Sequence, residues 1–312
     1  MDLSVVVPVY GSQATLRPLV ERLCAVLDQT GREYELIFVN DDSPDQAWQE
    51  LESLHAQHGD RLTAIQLTRN FGQHNAIMCG FHQARGRYVL TMDDDLQHPP
   101  EEIPKLLAEI ERSGLDVVYG RYDKKKHRAW RNLGSRLLNF AYHKVFGIAG
   151  EFTAFRMIRR EIVEAALGYE LNFTFIDGLL AWNTRRIGGL VVEHVERQHG
   201  RSGYNLRKLL SLSFNLLTNF SLLPLQLSTL LGLFSALVGF GVGAYYLWFA
   251  LWHRMAVPGY ASTITAVLFL GGVQLFAIGI IGEYVGRLHL NVNRKPQFRI
   301  RKQLSPTGSK SP

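Results

Sequence analysis

Cysteine is scarce in this chain, with only Cys24 and Cys79 among 312 residues. Neither belongs to a C-x-x-C pair or a Cys/His cluster, so the sequence offers no disulfide framework and no cysteine-based zinc site. Both thiols are typical of small core residues in a protein from a reducing compartment.

Charge is missing from two long stretches near the C-terminus. No Asp, Glu, Lys or Arg occurs between Leu209 and Trp252, or between Met255 and Gly282. Because about 20 apolar residues span a bilayer as a helix, these stretches predict two transmembrane helices, at 223–252 and 260–282. The alternative is a pair of buried helices in a soluble protein, but such helices rarely run so long without charge.

The surplus of positive charge is small and unevenly distributed. The chain has 34 basic and 28 acidic side chains, a surplus too mild to separate a nucleic-acid binder from a membrane-surface protein. Because of the predicted membrane helices, we expect no nucleic acid as a partner. Basic residues flank the apolar pair on both sides, with one Arg between the two stretches: Arg197, Arg201, Arg207, Lys208, Arg287, Arg294, Lys295, Arg299, Arg301 and Lys302. The positive-inside rule therefore predicts a multi-pass protein of the inner (cytoplasmic) membrane with both termini in the cytoplasm.

Two phosphate-binding signatures are absent before the apolar stretches. There is no GxxxxGK[ST] loop and no GxGxxG after a predicted strand, which argues against P-loop and dinucleotide-binding proteins. Instead, β-branched runs alternate with amphipathic segments. The runs predict strands at 5–9, 36–39, 62–67, 88–92 and 117–119, and the segments predict helices at 14–27, 46–57, 74–84 and 101–113. This order predicts an α/β fold with a mostly parallel sheet and helices on both faces.

Polar sequences follow each predicted strand. They read PVYGS, NDDSPD, TRNFGQHN, DDDLQHPP and GRYDKKKHR in chain order. Ligands of open α/β sheets bind at the carboxyl ends of the strands, so we expect these carboxylates and cations to share one crevice. Such crowding is costly unless a bound ligand or metal balances it. The pattern therefore predicts a nucleotide or phosphate site.

Several of these segments carry a family resemblance. The chain resembles glycosyltransferase family 2 in four segments, in this order and spacing: VVVPVY, VNDDSPD, RNFGQHNAIMCGF and LTMDDDLQHPPEEIPKL. The resemblance implies the GT-A (Rossmann-like) fold and a reaction that inverts the anomeric configuration of the sugar. The apolar stretches and GEYVGR at 282–287 resemble the membrane-bound polyprenyl-phosphate glycosyltransferases of this family. This resemblance implies transfer of a sugar from a nucleotide sugar, expected to be a UDP sugar, to polyprenyl (undecaprenyl) phosphate. The product would serve cell-envelope glycan synthesis or lipid A modification.

The resemblance also implies roles for residues of the crevice. Mg²⁺ or Mn²⁺ is expected on Asp93, Asp95 and Gln97, where it would neutralise the leaving diphosphate. Asp93 and Asp95 thereby count as catalytic. The donor nucleotide is expected on Pro8, Val9, Tyr10, Asp41, Arg69, Gly72, Asp93 and Asp94. Asp41 would bind the base, and Arg69 is alternatively a surface partner of Asp42.

The acceptor side is implied in the same way. The polyprenyl phosphate is expected on Arg121, Arg131, Ser135, Ser202 and Tyr204, and Arg197 is expected to be catalytic by stabilising charge on the diphosphate. Residues 129–146 have an apolar stripe with basic flanks, which predicts a helix lying in the membrane interface. The resemblance further implies a homo-oligomer, expected to be a tetramer.

Four of the positions that depart from the family pattern bear on the site. Gly11 and Ser12 stand where many relatives have Asn and Glu, Glu151 replaces an Asp, and Gly203 replaces a Lys. These departures leave open a non-catalytic membrane scaffold. A transferase with a polysaccharide or glycolipid acceptor is a further alternative. His74 and His98 lie near the predicted crevice, and we interpret them as structural residues.

The expected organisation has three parts. Residues 1–205 form a cytoplasmic GT-A domain, residues 206–286 a juxtamembrane helix and two membrane spans, and residues 287–312 a basic cytoplasmic tail.

Overall fold

The computed structural model describes residues 1–122, 153–169, 174–193, 222–252, 259–293 and 296–306. Contacts divide the chain into two compact units, one of residues 1–203 with 294–312 and the other of residues 204–293. The interfacial helix predicted at 129–146 lies outside the described residues.

Strands and helices alternate through the first unit. Its strands are β1 (Leu3–Val9), β2 (Tyr34–Asn40), β3 (Leu62–Leu67), β4 (Tyr88–Thr91), β5 (Val117–Tyr122), β6 (Arg156–Arg159), β7 (Ile187–Val192) and β8 (Ile300–Leu304). Its helices are α1 (Gln13–Gln29), α2 (Ala47–His58), α3 (Gln73–Gln83), α4 (Ile103–Ser113), α5 (Arg160–Leu167) and α6 (Ile176–Asn183), with a 3₁₀ turn at Pro100–Glu102. All five predicted strands and all four predicted helices are confirmed in type and order.

The sheet has the order β7-β5-β6-β4-β1-β2-β3-β8. The central strand β1 is fully buried and pairs in parallel with β2 on one side and β4 on the other. Strand β6 is antiparallel to β4 and β5, and β8 is antiparallel to β3. The predicted α/β fold with a mostly parallel sheet is thus confirmed. The loops after β1, β2 and β4 open at the same edge.

Helices cover both faces of this sheet. Side chains alternate between the faces along a strand, and Val5 and Val7 belong to the core that packs under α1, α2 and α4. Val6 points the other way and meets α3 at Gly80, where an added Cβ would come within 2.3 Å of Val6 Cγ1. Glycine at position 80 therefore allows α3 to lie directly on the sheet.

Strand β6 escaped prediction because its sequence, RMIR, begins and ends with arginine. In the structure Arg156 is buried and forms an ion pair with Asp177 of α6, and Tyr119 donates a hydrogen bond to the same carboxylate at 2.8 Å. Removing one partner of such a buried pair leaves an uncompensated charge. Arginine at position 156 is thus a core residue rather than a surface residue.

Strand β8 comes from residues that the sequence placed in a basic tail. It pairs with β3, and Thr68 donates its backbone N–H to the carbonyl of Arg299 at 2.9 Å. The strand covers what would be an open sheet edge, a feature that otherwise invites aggregation.

Two long apolar helices, α7 (Leu223–Trp252) and α8 (Tyr260–Val292), make up the described part of the second unit and contact each other. Each is long and apolar enough to cross a membrane, with 11% and 0% of the most apolar window buried. A core helix of a soluble protein would be mostly buried, so this exposure favours a lipid environment. Helix α8 continues past the predicted end at Gly282, and its Glu283 and Arg287 form an ion pair at 2.5 Å.

Candidate functional site

A cleft of about 270 Å³ opens at the carboxyl ends of the central strands. It is lined by Pro8, Val9, Tyr10, Asp41, Asn70, Gly72, Gln73, Asp93, Asp94 and Asp95. All the residues assigned to the donor nucleotide, apart from Arg69, are thus brought together. Gln97 and Arg121 are not among the residues that line the cleft.

Asp41 anchors the loop between β3 and α3. Its carboxylate is buried and accepts the backbone N–H groups of Phe71 at 2.7 Å and Gly72 at 2.8 Å. Burial raises the pKa of this carboxyl group, and the two backbone donors act in the opposite direction. A carboxylate offers about four acceptor positions, so Asp41 can hold the loop and still accept a hydrogen bond from a ligand.

Tyr10 stands at the mouth of the cleft with 55% of its surface exposed. Pro8 and Val9 precede it at the end of β1, where the buried strand gives way to the loop. An exposed aromatic ring beside a buried acceptor is suited to the face and edge of a flat polar ring such as a nucleobase.

Two of the three consecutive aspartates form a cluster with a histidine. The ligand atoms of Asp93, Asp95 and His98 all lie within 4.8 Å of one another. Gln73 donates to Asp93 Oδ1 at 2.6 Å, and the backbone N–H of Gln97 donates to Asp95 Oδ1 at 3.1 Å. Carboxylate oxygens suit Mg²⁺ or Mn²⁺, and the imidazole nitrogen favours Mn²⁺ of the two, because Mg²⁺ takes oxygen ligands. The described residues therefore fit the divalent cation that the sequence predicted.

His98 is the member of this cluster whose role sequence reasoning missed. Its ring is buried and stacks on Phe155 of the neighbouring chain segment, with 5.3 Å between ring centroids. A histidine three residues after Asp95 was the available signal, but its ability to face the acids depends on the turn at Leu96, which has φ 61°.

Asp94 is not a member of this cluster. Its Oδ2 accepts the backbone N–H of Tyr10 at 3.1 Å and the hydroxyl of Ser12. Burial raises the pKa of Asp94 to about 6, while its hydrogen bonds from Ser12 and Tyr10 act in the opposite direction. The middle acid of the three thus bonds to the chain rather than joining the other two.

Arg69 lies beside the cleft, with its guanidinium 4.6 Å from the centre of the Phe71 ring. Asp42, considered above as a partner for Arg69, pairs instead with Arg301 of β8 at 3.6 Å. Arg301 also donates to the carbonyl of Thr68 at 2.6 Å. The C-terminal strand therefore reaches the loops that border the cleft.

The last predictions to compare with the structure concern His74 and the residues assigned to the acceptor. His74 is partly buried, with its ring edge against Phe175, and loss of hydration lowers its pKa to about 4. It is neutral near pH 7 and has the surroundings of a structural residue. Arg121 lies over Gly189 of β7. The remaining acceptor and catalytic predictions, and two of the departures from the family pattern, fall outside the described residues: Arg131, Ser135, Arg197, Ser202, Tyr204, Glu151 and Gly203.

Comparison with known proteins covers both units. A family model described as "Glycosyl transferase family 2" matches residues 4–167, and one described as "GtrB C-terminal hairpin" matches residues 223–288. Undecaprenyl-phosphate 4-deoxy-4-formamido-L-arabinose transferases from Pseudomonas aeruginosa and Edwardsiella ictaluri are 39% and 36% identical to this chain. The alignments cover 99% and 96% of this chain and 92% and 93% of those proteins.

Solved structures resemble the fold. Staphylococcus aureus TarS 1-349, in complex with UDP-GlcNAc, has a TM-score of 0.50 at 21% identity, over 70% of this chain and 67% of that one. Mannosyl-3-phosphoglycerate synthase from Rubrobacter xylanophilus has a TM-score of 0.50 at 17% identity, over 70% of this chain and 72% of that one. At these identities the likeness supports the α/β architecture alone.

Proposed function

The chain belongs to glycosyl transferase family 2 and is a glycosyltransferase, and we propose that it transfers a sugar from a UDP sugar to undecaprenyl phosphate. The observation that carries this proposal is the cleft, where the buried carboxylate of Asp41 and the exposed ring of Tyr10 lie with Asp93 and Asp95, whose ligand atoms are close to those of His98. The acceptor is proposed from the relatives, whose names specify undecaprenyl phosphate and whose alignments extend through both apolar helices.

The base, the ribose and the diphosphate of the donor are each assigned to different residues of the cleft. Tyr10 and Asp41 bind the base, and Pro8 and Val9 pack against the ribose. Asp93 and Asp95 would hold a divalent cation together with His98, and Gln97, the third ligand predicted from the sequence, would complete the set. The cation would neutralise charge that develops on the departing diphosphate. Arg69 and Gly72 border the same site from the β3–α3 loop.

The reaction needs little acid–base help from the protein. A phosphate oxygen of the acceptor attacks the anomeric carbon, the bond from that carbon to the diphosphate oxygen breaks, and UDP leaves with the bonding electrons. Attack opposite the leaving group inverts the anomeric configuration. Because a phosphate monoester is already anionic near neutral pH, no strong general base is required. Positioning and charge stabilisation therefore supply the catalysis.

We propose that the acceptor site is formed by side chains with a positive charge or a hydroxyl group. Arg121, Arg131, Ser135, Ser202 and Tyr204 would hold the lipid phosphate, and Arg197 would stabilise the diphosphate. The lipid reaches them from a membrane in which α7 and α8 are embedded, with both termini on the cytoplasmic side. The domain boundaries predicted above and a homo-oligomer, a tetramer, are part of the same proposal.

A product assay tests this function. Purified full-length protein in lipid nanodiscs is incubated with Mn²⁺, undecaprenyl phosphate and, one at a time, UDP-glucose, UDP-4-deoxy-4-formamido-L-arabinose and GDP-mannose. Mass analysis of the lipid is expected to show one added sugar on a monophosphate with a UDP sugar. If a UDP sugar is consumed without a lipid product, the acceptor assignment is wrong, and transfer to glycan in a parallel incubation would identify the polysaccharide alternative.

A further inference from the structure

The middle aspartate of the DDD sequence has a contact set unlike that of its neighbours. Asp93 and Asp95 belong to the cluster with His98, and Asp94 does not. One oxygen of Asp94 accepts two hydrogen bonds from the loop between β1 and α1, from the Tyr10 N–H at 3.1 Å and from the Ser12 hydroxyl. The Asp94 side chain thus connects the β4 loop to the loop that carries Tyr10.

Backbone contacts reinforce this connection. Thr15 Oγ1, in the first turn of α1, donates to the carbonyl oxygen of Asp94 at 2.6 Å. On the opposite side, Gly11 donates its N–H to Ser43 Oγ at 3.2 Å. The loop from Tyr10 to Ser12 is therefore attached to the β4 loop on one side and the β2 loop on the other.

The shape of the loop is what directs both donors at one oxygen. Gly11 has φ +68°, a conformation that is costly for residues with a side chain. This turn allows the N–H before Gly11 and the hydroxyl after it to meet the same carboxylate. A glutamate at position 12 would instead place a second carboxylate against Asp94, so Ser12 and Asp94 match each other.

We infer that Asp94 is a positioning residue for donor binding, which with Ser12 holds Tyr10 in place at the mouth of the cleft. Its role rests on the proposed function, because the ligand whose binding it prepares is a nucleoside diphosphate. Without the carboxylate the loop must be ordered when the nucleotide binds, and that cost appears as lost affinity. Asp94 does not touch the reacting atoms, so the chemical step is largely spared.

Four variants test this role through nucleotide binding, measured by calorimetric titration of the full-length protein with UDP in the presence of Mn²⁺. Asp94→Ala removes the acceptor and is expected to weaken UDP binding about five- to tenfold. Asp94→Asn keeps an acceptor oxygen and should remain within about threefold of wild type. Ser12→Ala should weaken binding about threefold, and Ser12→Ala with Asp94→Ala should be no weaker than Asp94→Ala alone, because the two residues act through one contact. Asp60→Asn, on an exposed turn, is the matched control.

Steady-state kinetics supply a second readout. We expect Asp94→Ala to raise the KM for the donor by a similar factor and to change kcat by less than about twofold. Unchanged UDP affinity in Asp94→Ala would overturn the inference. So would equal weakness of Asp94→Asn and Asp94→Ala, which would indicate a cation ligand, or full additivity of the two single changes. Wild-type protein that binds neither UDP nor GDP would instead overturn the proposed function itself.

Discussion

The two ends of the central sheet carry acids with opposite surroundings. At the amino end, Glu35 of β2 is buried and accepts from Ser4 Oγ at 2.7 Å, while both Nε and Nη2 of Arg85 donate to its other oxygen, at 2.9 and 2.7 Å. At the carboxyl end, Asp93, Asp94 and Asp95 line an open cleft. At the amino end a buried acid is paired with a half-exposed arginine, and at the carboxyl end several acids surround a cleft.

This difference separates charge that stabilises the fold from charge that binds a ligand. A buried carboxylate matched by a guanidinium is satisfied without any further molecule. Clustered carboxylates repel one another, and that repulsion is relieved when a cation binds. The same residue type therefore predicts different consequences of mutation at the two ends.

The largest expected effect is on catalysis at the carboxyl end. Asp95→Asn should reduce sugar transfer about 10²- to 10³-fold, because the amide loses the charge that holds the cation. The melting temperature should stay near the wild-type value. Product formation and thermal unfolding are measured on the same preparation, with Asp60→Asn as a control for loss of an acid elsewhere. Turnover close to wild type would contradict the assignment of Asp95.

The amino end should respond in the opposite way. Glu35→Ala should lower the free energy of unfolding by about 2–3 kcal/mol, because Ser4 and Arg85 lose their shared acceptor. The loss is no larger because Arg85 is half exposed and water can hydrate its guanidinium. The affinity of the remaining folded protein for UDP should be unchanged. Glu33→Ala, two residues away with an exposed side chain, is the matched control and should change stability by less than about 0.5 kcal/mol. Equal stability of the two variants would show that the Glu35 pair is not structural.

A third effect comes from His74, which supports the fold beside the cleft as a neutral ring. Its pKa is lowered from 6.5 to about 4, so the unfolded chain binds a proton in this range before the folded protein does. Folding stability from this residue is present above pH 6.5 and is lost as the pH falls towards 4. Relative to His74→Gln, wild-type protein should therefore lose about 1–2 kcal/mol across this range. If the free energy of chemical unfolding changed with pH in the same way for the two proteins, this prediction would be wrong.

The smallest effect is expected at the ion pair between Arg301 and Asp42. Both side chains are partly exposed, and the charged atoms are 3.6 Å apart. Exposed pairs contribute about 0–1 kcal/mol, so Arg301→Ala should change stability by no more than that and UDP affinity by less than about threefold. A larger loss of UDP affinity would show that β8 shapes the cleft. An exposed charge near the carboxyl end of the sheet would then also contribute to donor binding.

Much of the sheet could be predicted because its central strands are plain in the sequence. Runs such as VVVPV are buried along their whole length, and the turn after each run is polar. Convergence of Asp41 with the three consecutive aspartates followed from the rule that parallel strands end at one edge. The donor side of the candidate site was therefore largely predictable from the expectation of a mostly parallel sheet.

The rest depended on long-range contacts that sequence periodicity does not record. Strand β6 requires Arg156 to be buried against Asp177, which lies 21 residues further along the chain. Strand β8 forms only because β3, more than 200 residues earlier, offers an open edge. The hydrogen bonds of Asp94 to Tyr10 and Ser12 could not be inferred either, because they depend on the conformation of two loops that are distant in sequence.

The central claim is that the carboxyl-end acids bind the donor through a divalent cation, and the most direct measurement is UDP affinity with and without Mn²⁺. Calorimetric titration of full-length wild-type protein should show binding that weakens by roughly tenfold or more in excess chelator. Asp95→Asn should bind UDP weakly in both conditions, and Glu33→Ala should behave as wild type. Equal wild-type affinity with Mn²⁺ and with chelator would contradict the account.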